Sequence, residues 1–267
     1  MWTELIITLF IFFIGCAYKY HHSQLYFKQE LIKNNKTQGI YEIHITVDHK
    51  NNYVSLLSFI DQYKSYKLKP VFAVSSVMNN QYMLSCFVGI DDNNNDNNND
   101  NNNNEAIEKA TQITNDLIND KIIVLRTKVE SHNVSQFPQQ EIDNKNNYFE
   151  FHVKVLKYPS YKQLEKYILW FRGLSQVHAE LGISYNLCSS SFSSSFSSSK
   201  NHLQKLKPLL TIRIYHYGFV YAINYKNKIL NDMKKNGYEF DDKIQQEYSI
   251  YDTNPQLDEG WLVKQIY

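Results

Sequence analysis

Two histidines on matching stretches are the residues whose types and spacing could do chemistry. Tyr41-Glu42-Ile43-His44-Ile45-Thr46-Val47 and Phe149-Glu150-Phe151-His152-Val153-Lys154-Val155 agree position by position: aromatic, Glu, apolar, His, aliphatic, polar, Val. Strand side chains alternate between faces, so Glu42, His44 and Thr46 share one face, as do Glu150, His152 and Lys154. Two imidazoles meeting at one groove would supply an acid–base pair, one deprotonating a nucleophile and the other protonating the leaving group. His44 and His152 are therefore the candidate catalytic residues. Thr46 and Lys154 are placed to hold phosphate oxygens. Arg213 falls in a strand expected to be central, where a buried guanidinium needs a carboxylate or an anionic ligand. The plainer role is cross-strand pairing of Glu42 and Glu150 with His or Lys. A third use is a metal: Glu42, His44, Glu150 and His152 form a two-His, two-carboxylate set if their strands converge. His178, His202 and His216 have no partner at ligand spacing, and no cofactor is assigned.

The elements that must position these residues repeat as well. Helical periodicity begins at Tyr53 and again at Tyr161. A shift of 108 residues, the step from Tyr41 to Phe149, sets Leu56 on Leu164, Phe59 on Tyr167, Ile60 on Ile168 and Tyr63 on Phe171. Strands are expected over 70–74, 82–88 and 122–129, with a helix over 105–119. In the second half the strands fall over 177–185, 209–217 and 244–251, with a helix over 222–236 stopped by Gly237. Each half thus reads β-α-β-β-α-β, the ferredoxin-like order. The fold class is α+β, a duplicated ferredoxin-like pair packed as one unit and preceded by a transmembrane helix. The first repeat spans 39–135 with an Asn-rich insert at 91–104. A linker covers 136–148, and the second repeat spans 149–267 with a Ser-rich insert at 189–199. Such low-complexity inserts bury little and read as loops. The tail after the Asp252-Thr253-Asn254-Pro255 turn reads as a cap that docks Trp261 and Leu262.

His44-Ile45-Thr46 resembles the His-x-(Ser/Thr) strand motif of the 2H phosphoesterases, in which two such strands of a duplicated α+β fold flank a phosphoester. His152-Val153-Lys154 departs from it, with Lys in place of the second hydroxyl residue. That resemblance implies a nucleotide or cyclic phosphodiester as substrate. Over a longer span the two His strands, Leu210-Thr211-Ile212-Arg213-Ile214-Tyr215, and Glu247-Tyr248-Ser249-Ile250-Tyr251-Asp252-Thr253-Asn254 with Leu257-Asp258-Glu259-Gly260-Trp261-Leu262 resemble a widespread family of uncharacterised proteins. This second resemblance implies one integrated domain and no particular reaction.

Residues 5–17 are apolar except for Thr8 and, with flanking aromatics, approach the length of a spanning helix. Residues 1–22 are expected to anchor the chain in a membrane through residues 5–20, with 23–38 as a tether. Lys19 and Lys28 follow the apolar run, so the positive-inside rule places the main domain in the cytosol. The alternative is a signal peptide cleaved near Ala17, which would make the domain secreted or luminal and the sequons at Asn35 and Asn133 usable. Basic and acidic residues number 28 and 27, which argues against a general nucleic-acid binder. Eight glycines form no phosphate-cradling loop, and three scattered cysteines have no zinc spacing. The leading expectation is a single-pass membrane protein with a binding or scaffolding role. The alternatives are a phosphoesterase acting on a small phosphorylated ligand and a metal-dependent site on the same strands.

Overall fold

The computed structural model describes residues 37–48, 53–74, 81–91, 99–141, 146–171, 179–188, 208–258 and 262–263. The chain divides into two compact units, with one boundary between Thr127 and Lys128 and another between Tyr185 and Asn186.

In the first unit β1 (Thr37–Val47) pairs antiparallel with β3 (Gln81–Asp91), which pairs with β2 (Lys69–Val74). The Asp48 N–H donates to the Ile123 carbonyl at 3.0 Å, fixing the end of β1 to the start of β4 (Val124–Ser131). Tyr41, Ile43, Ile45 and Val47 are fully buried, as the alternation predicts. The helix α1 (Tyr53–Gln62) buries Leu56, Phe59 and Ile60. The helix α2 (Asn99–Asn119) buries Ala106, Ala110, Ile113 and Leu117, a stripe at helical spacing. It starts earlier than expected: Asn99 to Asn104, part of the Asn-rich insert, are helical, and the Tyr41 hydroxyl donates to Asn103 at 2.9 Å. Cys86, on β3 opposite Ile43, is a buried free thiol.

The second unit repeats the plan with β5 (Tyr148–Lys157), α3 (Tyr161–Phe171), β6 (Ala179–Cys188), β7 (Leu209–Tyr215), α4 (Phe219–Lys235) and β9 (Gln245–Asp252). The antiparallel order β9-β5-β7-β6 is that of a ferredoxin-like sheet. Residues 128–131 of β4 pair with β9 on one side, β10 (Leu262–Val263) pairs with β6, and β8 (Glu239–Phe240) pairs with the end of β5. One face is apolar: Phe149, Phe151, Val153, Leu181, Ile212 and Ile214 pack with α3 and α4 through residues such as Leu164 and Ile229. The start of α4 is set by a close approach. The Phe219 N–H donates to the Pro138 carbonyl at 2.8 Å, and a Cβ on Gly218 would lie 2.0 Å from the Gln139 carbonyl oxygen. At the other end Gly237 takes φ +84°, and the Tyr238 N–H closes on the Met233 carbonyl, a helix stop that glycine adopts without a Cβ clash.

The expected transmembrane helix is corrected. Among the described residues no helix is long and apolar enough to cross a membrane. The longest, α2, has 21 residues but carries Glu105, Glu108, Lys109 and Asp116 around its apolar stripe. Residues 1–22, where the anchor was expected, lie outside the described residues, as do Asn35 and the possible cleavage near Ala17. Nothing among the described helices supports the single-pass topology, the membrane as partner, or the localisation and scaffolding role drawn from them. Trp261 lies outside the described residues. Around it the tail forms a short 3-10 turn (Pro255–Asp258) and the two residues of β10.

Candidate functional site: a buried ionic network on the second sheet

With the apolar residues of the second unit's strands turned toward its helices, alternation sends the polar residues to the opposite face. The register lines up Glu180 of β6, Arg213 of β7, Glu150 of β5 and Glu247 of β9 across four adjacent strands. One step along, His152 faces Thr211 of β7 and Gln245 of β9. This face is buried, with Glu150 and Arg213 each 3% exposed and Glu247 1%.

Glu150 is the hub. One carboxylate oxygen, Oε2, accepts from Arg213 Nε and from Lys128 Nζ at 3.2 Å. The other, Oε1, lies 3.0 Å from His152 Nε2, and Glu247 Oε2 lies 3.2 Å from the same nitrogen. The second nitrogen of His152, Nδ1, is 3.1 Å from the Thr211 hydroxyl. Glu247 Oε1 accepts from Gln245 and has His132 Nε2 3.7 Å away. Lys128 also pairs with Glu130. Arg213 Nη2 donates to Asp258 Oδ2 at 2.6 Å, and its guanidinium lies 4.6 Å from the Tyr148 ring centroid. Tyr148 and Tyr215 hydroxyls donate to Asp252 and Glu180, each at 2.7 Å. Buried carboxylates are costly unless positive charge joins them, and Lys128 and Arg213 bring such charge to Glu150.

The imidazole supplies part of that charge. Burial alone would drive His152 toward its neutral form, but Glu247 and Glu150 outweigh it and raise its pKa from 6.5 to about 10. Burial would likewise raise Glu150, yet Arg213, Lys128 and His152 hold it well below the usual carboxylate range. Glu247 is also held below that range, with burial opposed chiefly by His152 and then by His132. Lys128 is kept protonated because Glu130 and Glu150 overcome its burial.

Glu150, His152 and Glu247 each offer one ligand atom, and these atoms lie within 4.8 Å of one another. A tetrahedral dication with bonds of about 2.0–2.2 Å has neighbouring ligand atoms about 3.3–3.6 Å apart. The separations from His152 Nε2 to the two carboxylates, 3.0 and 3.2 Å, fall a few tenths of an ångström short of that. Thr211 on Nδ1 is the kind of outer partner that fixes the ring of a metal-binding His.

Of the residues expected from sequence, His152 and Arg213 enter this network through Glu150. Lys154 is exposed near the end of β5. His44 and Thr46 belong to the first unit, where His44 Nε2 is 3.5 Å from Glu42 Oε1 and Ser85 donates to that oxygen at 2.7 Å. Thr46 is buried. The Asn133 side chain is occupied as a local cap, accepting from the Ser135 N–H at 3.3 Å and hydroxyl at 2.7 Å. The register extends the repeat: His44 faces Ser85 as His152 faces Thr211, whereas Glu42 faces Phe87 where Glu150 faces Arg213. Glu247, Thr211, Lys128 and Asp258 were not singled out from sequence as site residues. The alternation Gln245, Glu247, Ser249 was a visible signal, but it is also the pattern of an ordinary solvated strand face. Compared with known proteins, the chain matches no family model, no curated protein and no solved structure.

Proposed function

We propose that the second unit is a metal-dependent site in which Glu150 Oε1, His152 Nε2 and Glu247 Oε2 hold a zinc-class divalent cation. The observation that supports it is the convergence of three ligand atoms from adjacent strands, two on buried carboxylates and one on the half-buried His152, close to ligand-to-ligand spacing. Replacing the His152 proton by a dication also adds positive charge between the Glu150 and Glu247 carboxylates. An imidazole and two carboxylates suit zinc and its neighbours better than calcium or magnesium, which favour many oxygen ligands. Three protein ligands leave a coordination position for water or a substrate oxygen, the arrangement of a catalytic rather than a structural site. Bound there, the cation acts as a Lewis acid and lowers the pKa of that water, which points to hydrolytic chemistry. The test is calorimetric titration of the chelator-treated full chain with Zn²⁺. One ion per chain is expected for wild type and none for His152→Gln or Glu247→Gln. Equal zinc binding by wild type and both variants would sink the assignment.

A further inference from the structure

Arg213 presents three groups of donors and uses two of them. Nε faces Glu150, Nη2 faces Asp258, and the buried Nη1 has no hydrogen-bond partner among the described residues. An unmatched N–H on a buried charged group is costly, so an arrangement that retains one calls for a reason. The sheet does not supply that reason. In the first repeat the residue facing Glu42 is Phe87, so the same register accepts an apolar side chain. Nor does Glu150 depend on Arg213 alone for a counter-charge, because Lys128 lies 3.2 Å from the same oxygen. The origin of Asp258 is also unlike that of the other carboxylates on the central strands. It sits at the end of the four-residue turn Pro255–Asp258, after the last long strand, and the turn is closed by the Leu257 N–H on the Asn254 carbonyl at 3.1 Å.

We infer that Arg213 is a carboxylate receptor and that Asp258 is its internal, displaceable occupant. Asp258 engages Nη2 and leaves Nη1 empty. A free carboxylate can take both in the two-pronged geometry that guanidinium groups favour, and so satisfy the orphan donor. Tethering favours Asp258 through its high effective concentration, and the extra charge-assisted bond favours the ligand. The ligand class is a small carboxylic acid, the chemistry of the group now in place. As the substrate class of the metal site this rests on the proposed function, since Arg213 and the metal set share Glu150. The receptor itself needs only Arg213 and Asp258.

Malonate binding by the full chain tests this, with wild type, Asp258→Ala and Arg213→Lys compared at matched ionic strength in chloride, each with chelator and with Zn²⁺. Asp258→Ala should bind malonate about tenfold more tightly than wild type, the equivalent of one charge-assisted hydrogen bond. Arg213→Lys should lose the binding. In wild type, malonate should speed amide exchange over 253–258 and leave β5 and β7 unchanged, an effect that a purely structural ion pair would not show. Should Asp258→Ala fail to fold, Asp258→Asn keeps the shape and removes the charge. Equal malonate affinity in wild type and the Asp258 variant, unchanged exchange over 253–258, or stronger binding of inorganic phosphate than of malonate would each overturn the inference. Loss of zinc binding with malonate binding intact would instead count against the metal site alone.

Discussion

Removing the His152 proton should weaken the fold at alkaline pH. The pKa of this group is about 10 in the folded chain against 6.5 for a free imidazole. A raised folded pKa gives stability that is fully present below about pH 6.5 and is lost as pH rises through about 10. The ceiling is about 1.4 kcal/mol per pH unit, or about 5 kcal/mol in all. The side chain retains 20% exposure and shares its proton field with two carboxylates, so about 2–4 kcal/mol is the working expectation. Glu150 and Glu247 act at the other end. Their depressed pKa values give stability that is present above about pH 4.5 and lost as pH falls. For this network the maximum should therefore lie between about pH 4.5 and 6.5. Urea unfolding of wild type and His152→Gln at pH 6.5, 8 and 9.5 measures the difference. Wild type should lose stability steadily along this series, and the variant should be nearly flat. Parallel curves, or an imidazole of His152 that titrates near 6.5 by NMR, would refute the reasoning.

Other perturbations should separate the network from its surroundings. Arg213→Met leaves Glu150 and Asp258 short of a buried counter-charge and should cost about 3–5 kcal/mol by chemical denaturation; adding Asp258→Asn should recover part of it. Lys154→Ala, at an exposed position, should change stability by less than about 0.5 kcal/mol, in contrast to Lys128→Ala, which should cost several times more. Gly218→Ala drives a Cβ against the Gln139 carbonyl and should cost about 1–3 kcal/mol, read as a lowered thermal midpoint. Apparent zinc affinity should rise with pH, by up to about tenfold per unit, because the metal must displace a tightly held proton.

Much of the framework was legible in the residues, because periodicity reports local burial directly. Leu56, Phe59 and Ile60 and their counterparts Leu164 and Ile168 are buried as the 108-residue shift implies. The site was legible only in part. Glu150, His152 and Arg213 stood out as charged residues on strands, but sequence cannot tell a solvated face from a buried one, and Glu247 reads identically in either. Its partnership with His152 is set by the β5–β9 register, a pairing between residues 95 apart in number (247 against 152). Asp258 was harder still, since a carboxylate in a terminal turn gives no sign of which strand it will meet. The Asn-rich run misled differently. Asparagine is a poor helix former, but Asn99 to Asn104 extend a helix whose apolar stripe is already packed, and Tyr41 provides one of them with a partner.

The buried thiol of Cys86 offers an independent handle on the two units. Burial and the nearby Glu42 carboxylate push its pKa up to about 12, with Lys109 opposing. At neutral pH it is neither thiolate nor accessible, so it cannot react with an alkylating reagent while β3 stays paired. Its alkylation, followed on the peptide that contains it, therefore clocks the opening of the first unit. Set beside amide exchange in β5 and β7, that clock shows whether the repeats open together or one at a time.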